Sequence, residues 1–206
     1  MNKLPQDLHI HTTFSRHDGA VAPEQTVQLV AAIAHARVMG ISDHLESIVD
    51  DFPTYAEAVR SHGFRVGTEV NGADWVGEAE AVEAQYYVYH CRNREKDYRG
   101  TERLLATGKP LIIAHPLILE TDLNRVPPQC LIEINNRYVW RSNWETLRPF
   151  TEMFSFVIDS DAHQPHWLNQ NIARYVAREL EITETLLFTD AGETIQPRTA
   201  NVTKKL

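Results

Sequence analysis

The stretch Val38-Met39-Gly40-Ile41-Ser42-Asp43-His44, reached from Asp7-Leu8-His9-Ile10-His11 through the segment Pro23–Ala36, decides the fold class. Both flanks are short apolar runs of strand length that finish in polar residues. Between them Val27, Val30, Ala31 and Ala34 fall at i, i+3, i+4 and i+7, the apolar stripe of a helix, and Pro23 suits a first helical position. The pattern continues outward, with apolar runs at Phe64–Glu69, Tyr86–Cys91, Leu111–His115, Leu131–Asn135 and Phe154–Asp159. Helices are expected around Tyr55–Ser61, Arg99–Ala106 and Asn143–Phe150, and Ile172, Tyr175, Val176 and Leu180 repeat the stripe near the C-terminus. Strands alternating with helices predict an α/β fold with a mainly parallel sheet, either a small barrel or a doubly wound open sheet.

No linker, internal repeat or low-complexity segment divides the 206 residues, so 1–206 reads as one domain with a flexible polar tail at about 192–206. A hydrophobic share of 43% and a charged share of 23% are those of an ordinary globular chain. No apolar run approaches the roughly 20 residues of a membrane span. The first residues lead straight into a strand, which leaves no secretory leader. Cys91 and Cys130 follow no CxxC spacing and read as reduced thiols of a cytoplasmic protein. The net charge of −8 argues against long nucleic acid as a partner, but not against a small anionic substrate.

The ten histidines are not scattered. His9 and His11 close the first strand, His44 follows the second, Glu69 ends the third, His90 the fourth and His115 the fifth. Asp161 and His163 follow the seventh. Carboxyl ends of parallel strands form the mouth where active sites sit. Alternate histidines alone occur on any half-exposed strand, a lone Glu69 could cap a helix, and a lone His90 could be a core histidine. Their joint placement at one end of six strands is what points to metal. Imidazole with carboxylate suits zinc, manganese or iron, and so many ligands imply two or three divalent ions. Such ions polarise a phosphoryl oxygen and turn a bound water into a hydroxide nucleophile near neutral pH.

The segments Asp7-Leu8-His9-Ile10-His11-Thr12, Ser42-Asp43-His44, Gly67-Thr68-Glu69, Ala114-His115-Pro116 and Ser160-Asp161-Ala162-His163 resemble the PHP (polymerase and histidinol phosphatase) superfamily of metal-dependent phosphoesterases. The resemblance implies a distorted (β/α)7 barrel, with the metal site at the C-terminal ends of the strands. It implies a first ion on His9, His11, Glu69 and Asp161. Glu69 would bridge to a second on His90 and His115, and a third would use His17, His44 and His163. His9, His11, Glu69, Asp161 and His163 are then the catalytic candidates. Either His17 or Asp18 could serve the third ion: the resemblance favours His17, six residues after His11 as the histidine is in trinuclear members, although many members carry an Asp-Gly in this region. The chain is shorter than typical members between His44 and Phe64, where loops build the pocket wall.

Further candidates surround this set. Arg16, Arg92 and Arg137 could grip a phosphate, and Asn135 would line the pocket. Asp43 could accept the distal N–H of a metal-bound histidine. Asp7 is either a similar support or a solvated strand-start residue. His166 could protonate a leaving group or merely occupy a loop, whereas His35 and His62 look structural. Phe14, Trp75, Tyr138, Trp140 and Trp167 could stack on a base or pack in the wall. The expected function is hydrolysis of a small phosphate ester, as in a histidinol phosphatase. The alternatives are a nucleotide phosphodiesterase or nuclease, and a non-catalytic metal-binding module.

Overall fold

The computed structural model describes residues 3–189, 191 and 193–195. Its strands are β1 (Leu4–Asp7), β2 (Ala36–Ile41), β3 (Arg65–Val70), β4 (Tyr86–Tyr89), β5 (Leu111–Ile113), β6 (Leu131–Asn135) and β7 (Ser155–Asp159). The helices are α1 (Val27–Ile33), α2 (Leu45–Ile48), α3 (Phe52–Arg60), α4 (Val76–Ala81), α5 (Glu95–Ala106) and α6 (Asn171–Glu179). Neighbouring strands are parallel and follow chain order from β1 to β7. A doubly wound sheet reverses direction at a switch point. Here the order never reverses, and β7 comes back against β1, so the sheet is a nearly closed seven-stranded barrel.

The closing seam is made differently from the other pairs. Beyond the strand ends a single bridge joins Ile10 to Ala162. Within the seam, side chains replace the ladder. Asp159 Oδ1 accepts the Leu8 N–H at 2.6 Å, and Asp7 Oδ1 accepts the Ser160 N–H at 3.0 Å. Asp7 is therefore fully buried, not a solvated strand start, and its Oδ2 lies 2.7 Å from His35 Nε2. His35 sits between α1 and β2 in a structural role at the seam. The first strand lies three to four residues earlier than expected, over Leu4–Asp7 rather than Asp7–His11. The regular pairing with β2 ends at Asp7, so His9 and His11 stand beyond the ladder, where Ile10 C=O still accepts the Ser42 N–H at 3.0 Å.

Alternation along the strands separates two apolar layers. Ile41, Val66, Tyr87, Ile113, Ile132 and Ile158 belong to the layer that packs on Val30, Val59, Val76 and Leu104 of the helices. The opposite face carries Leu8, Val38, Tyr86, Val88, Ile112, Leu131 and Val157, which fill the barrel with Leu187 and Phe188. Continuing on that inner face, every second residue leads from the apolar plug to a polar mouth. Leu131 gives way to Glu133 and Asn135, Val157 to Asp159 and Asp161, and Val88 to His90.

Three local expectations change. Thr26, whose side chain accepts from Leu29 N–H at 3.2 Å, caps α1, so Pro23 lies outside the helix. The stretch Trp144–Phe150 is a 3-10 helix that includes Pro149, which lacks the N–H an α-helix interior needs. On α6 the buried face is Ala173, Val176 and Ala177, and Ile172 and Tyr175 are exposed. Beyond residue 195 the tail expected to be flexible lies outside the described residues. Among the described residues no helix is long and apolar enough to cross a membrane.

Candidate metal centre

Three sets of ligand-type side chains gather where the strands end: His9, His11 and Asp161; Glu69, His90 and His115; and His11, His44 and His163. In each, the candidate donor atoms lie within 4.8 Å of one another. Glu69 is the hub. Its Oε1 stands 2.5 Å from His90 Nε2, 3.2 Å from His9 Nε2 and 3.6 Å from His115 Nε2. Its Oε2 stands 2.9 Å from His44 Nδ1 and 3.4 Å from His11 Nε2. Asp161 Oδ1 lies 3.1 Å from His163 Nδ1 and within 3.8 Å of His9 Nε2. His115 and Asp161 both adopt left-handed backbone, at φ +27° and +52°, which non-glycine residues rarely hold.

The donor chemistry fits cations. His9 Nδ1 is 2.7 Å from Glu133 Oε1 and donates to it, so in the neutral imidazole that binds a metal the lone pair is on Nε2. His11 Nδ1 is 3.2 Å from Ser15 Oγ, whose own hydroxyl donates to Asp43 Oδ1 at 2.6 Å. Ser15 therefore accepts from His11, and His11 Nε2 also presents a lone pair. The two Nε2 atoms face each other at 3.0 Å with two carboxylates beside them. With both imidazoles neutral, four electron-rich atoms converge, the arrangement a bound cation resolves. Without one, burial opposes protonation of His9, but Glu133, Asp161 and Glu69 outweigh it and raise its pKa well above the usual value.

Charge states agree with this reading. Burial raises the Glu69 carboxyl, but His90, His44 and His9 outweigh it and hold it well below the usual range. Burial likewise opposes ionisation of Asp161, yet His9 and His163 bring it down to about 2. Burial and the neighbouring His163 and His44 push His11 well down, toward the neutral form a metal needs. His44 is pulled down by burial but lifted to about 11 by Glu69 and Asp18. In an anionic site without other cations, protons take their place.

The sequence candidates divide clearly. His9, His11, His44, Glu69, His90, His115, Asp161 and His163 come together. His17 does not: it is exposed on the rim, and none of the three groups includes it. Asp18 reaches in instead, its Oδ2 lying 2.7 Å from His163 Nε2 and 3.3 Å from His44 Nε2. Asp43 touches no histidine. It accepts from Thr12 and Ser15 and acts on His11 through Ser15. Asn135, expected to meet substrate, is 2% exposed and fully engaged below the mouth. Its amide donates to Glu133 Oε2 and Asp161 Oδ2, and its oxygen accepts from the backbone of Arg137 and Tyr138.

A cavity of about 440 Å³ opens over the cluster, lined by Arg92, Arg137, Tyr138, Ile118 and Asp18 beside the ligands. That is the size of a small-molecule site. Arg137 lies 3.0 Å from His163 Nε2, and its guanidinium carbon is 4.8 Å from the Tyr138 ring centre and 5.2 Å from that of Trp167. Asn71 Oδ1 holds Arg92 at 2.7 Å and stands 3.3 Å from His90 Nδ1. Arg16 and His166 are exposed and do not line the cavity. Of the aromatic candidates only Tyr138 lines it, while Phe14 packs edge-on against Tyr55 and Trp140 is exposed.

Sequence reasoning passed over Glu133, Ser15 and Asn71 as parts of the site. Glu133 carries a signal, as the lone acid in the buried run Leu131-Ile132-Glu133-Ile134. Ser15 and Asn71 carry none, since nothing in their neighbours marks a loop residue that will meet an imidazole.

In sequence, the chain is similar to PolC-type DNA polymerase III of Oceanobacillus iheyensis, with 39% identity over 75 residues. That stretch is 35% of this chain and 5% of the polymerase, so the chain corresponds to a small part of that relative. No family model matches the chain. Among solved structures it is similar to a truncated form of 3-deoxy-D-arabino-heptulosonate 7-phosphate synthase from Thermotoga maritima. The two share 13% identity and a TM-score of 0.49 over 90% of this chain and 77% of that one.

Proposed function

We propose that the chain is a metal-dependent phosphoesterase that hydrolyses a small phosphate ester. The observation that carries this reading is the convergence of three ligand groups on Glu69 beneath an arginine-lined cavity. His9, His11 and Asp161 would hold one ion, Glu69, His90 and His115 a second, and His44 and His163 with His11 a third, with Asp18 in reach of the last. When bound, two or three zinc, manganese or iron ions supply Lewis acidity toward the phosphoryl oxygens and lower the pKa of a water.

The protein's own part is to place and neutralise the phosphate. Arg137, in cation–π contact with Tyr138 and Trp167 and directed at His163 and Asp161, meets the phosphate oxygens beside the ligands. Arg92, held by Asn71, faces the same cavity from the β4 side. A guanidinium that is already oriented loses little freedom on gripping a phosphate. Tyr138 and Ile118 offer an apolar wall for the group on the other side of the ester.

The deciding experiment measures metal content of the purified protein by mass spectrometry, together with hydrolysis of an aryl phosphate with and without chelator. Two or three transition metals per chain and chelator-sensitive turnover are expected. Failure to take up metal after reconstitution would sink the reading, and metal without turnover on a panel of phosphate esters would favour a binding module. The similarity to a DNA polymerase favours a second reading, hydrolysis of a nucleotide phosphodiester. A diaryl phosphate cleaved faster than its monoaryl counterpart would select it.

A further inference from the structure

Glu133 is a carboxylate sealed in the middle of β6, with a fully buried side chain. Among the described residues it has no lysine or arginine partner within ion-pair distance, and the only basic side chain it meets is His9. The rest of its strand, Leu131, Ile132 and Ile134, is apolar and buried. For stability alone an apolar residue would serve such a position as well or better, because removing a carboxylate from water is costly. The acid must therefore be answered by what its two oxygens do.

They do different things. Oε1 takes the His9 Nδ1 proton at 2.7 Å. Oε2 accepts the backbone N–H of His115 at 2.6 Å and the Asn135 amide at 3.0 Å. His115 holds left-handed backbone at φ +27°. Its Nδ1 is buried with no hydrogen-bond partner, so no side-chain hydrogen bond orients the ring. The anchor on its backbone N–H sets where that ring points, 3.2 Å from His90 Nε2.

We propose that Glu133 is a positioning residue that ties two ligand groups together through its two oxygens, fixing Nδ1 as the protonated nitrogen of His9 and anchoring the backbone of His115. One carboxylate thus aims His9 Nε2 at His11 and Asp161 and aims His115 at Glu69 and His90. The inference rests on the metal-centre reading above. It adds that the two groups are mechanically coupled, so that disturbing one residue that touches no substrate weakens both.

The test is zinc affinity of metal-free protein, by competition with a chromophoric chelator, for the wild type and Glu133→Gln. The amide keeps the size but loses the charge that holds the His9 proton. Zinc binding is expected to weaken about 10–100-fold at both groups, with the melting midpoint of the metal-free protein little changed. A midpoint that falls while zinc affinity is unchanged would mean a structural role and overturn the inference. A second measurement needs no variant. In zinc-loaded wild type labelled with ¹⁵N-histidine, His9 is expected to carry its proton on Nδ1 and none on Nε2, and the reverse would overturn the proposal. Wild type that takes up no zinc would overturn the metal-centre reading and this inference with it. Wild type and variant that load zinc equally well would overturn the inference alone.

Discussion

At the scale of single residues, the site depends on a few side chains that serve more than one neighbour. Glu69 faces five imidazoles, so its loss empties the centre, whereas a terminal ligand should be separable. Asp161→Asn keeps size and the contacts of Asn135 but removes the charge that faces His9 and His163. It is expected to lose at least one metal ion and turnover on the order of 100-fold or more, with the fold retained by circular dichroism. His115→Ala should behave alike. Full activity and metal content in either variant would refute the ligand assignment. Asp18 and His17 offer a sharper contrast. Asp18→Asn is expected to weaken loading of the group formed by His44 and His163, and His17→Ala to leave it unchanged, both read from metal stoichiometry. The opposite pattern would restore His17.

At the scale of elements, the barrel is organised by one tyrosine. Tyr86 is fully buried on the inner face of β4, and its hydroxyl donates to Leu8 C=O at 2.6 Å. It lies so close to β2 and β3 that a methyl group on Gly40 or Gly67 would come within 2.2 Å of it. These glycines are required by close approach. Gly67→Ala is expected to destabilise the protein by about 1–3 kcal/mol or more through overpacking. For a chain of this length each kcal/mol lowers the melting midpoint by roughly 2–4 °C, which calorimetry resolves. An unchanged midpoint would mean that Tyr86 moves freely. At α1 the expected effect is smaller: Thr26→Ala removes the cap and should cost about 1 kcal/mol. The same scale shows how far local pattern reaches. Six of the seven apolar runs became strands in place, because a strand buried on both faces is apolar throughout. The first strand lies just ahead of its run, over Leu4–Asp7. The run at Trp144–Phe150 is helical but not α-helical, since in an α-helix the Pro149 ring would clash with the carbonyl of Glu145.

For the whole molecule, the candidate metal centre and the fold share the same buried acids. Glu69 and Asp161 sit where only cations can balance them, so metal should stabilise the barrel by mass action. At a free concentration of 100 times the dissociation constant the gain is about 2.7 kcal/mol, a rise of roughly 5–10 °C in the melting midpoint that excess chelator reverses. Metal and protons compete for the same sites. His44, lifted to about 11, holds a proton at neutral pH that an incoming ion must displace. Metal addition is therefore expected to release protons in a weakly buffered titration, and affinity should fall as the pH is lowered. The absence of proton release would show that the imidazoles are already neutral. Away from the centre, burial pushes the Cys91 thiol up to about 12 and raises Cys130 as well. Neither should react with a chromogenic disulfide reagent until the protein unfolds.

What the chain determines locally is legible without coordinates. Apolar runs of strand length, the stripe of α1, and the histidines and acids placed after successive strands all follow from backbone periodicity and from the cost of burying polar groups. They suffice for an α/β fold with ligand-type residues at one end. The closure of the sheet was decided only in three dimensions, where Asp7 and Asp159 replace a ladder with side-chain bonds across some 150 residues. So was the placement of Asp18, rather than His17, beside His44 and His163, because spacing does not say which of two adjacent loop residues reaches in. The support behind the ligands also belongs to the tertiary structure. Glu133 meets His9 across 124 positions, and Ser15 relays Asp43 to His11. A hydrogen bond depends on two atoms meeting at about 3 Å, and only the closed barrel brings such distant residues together.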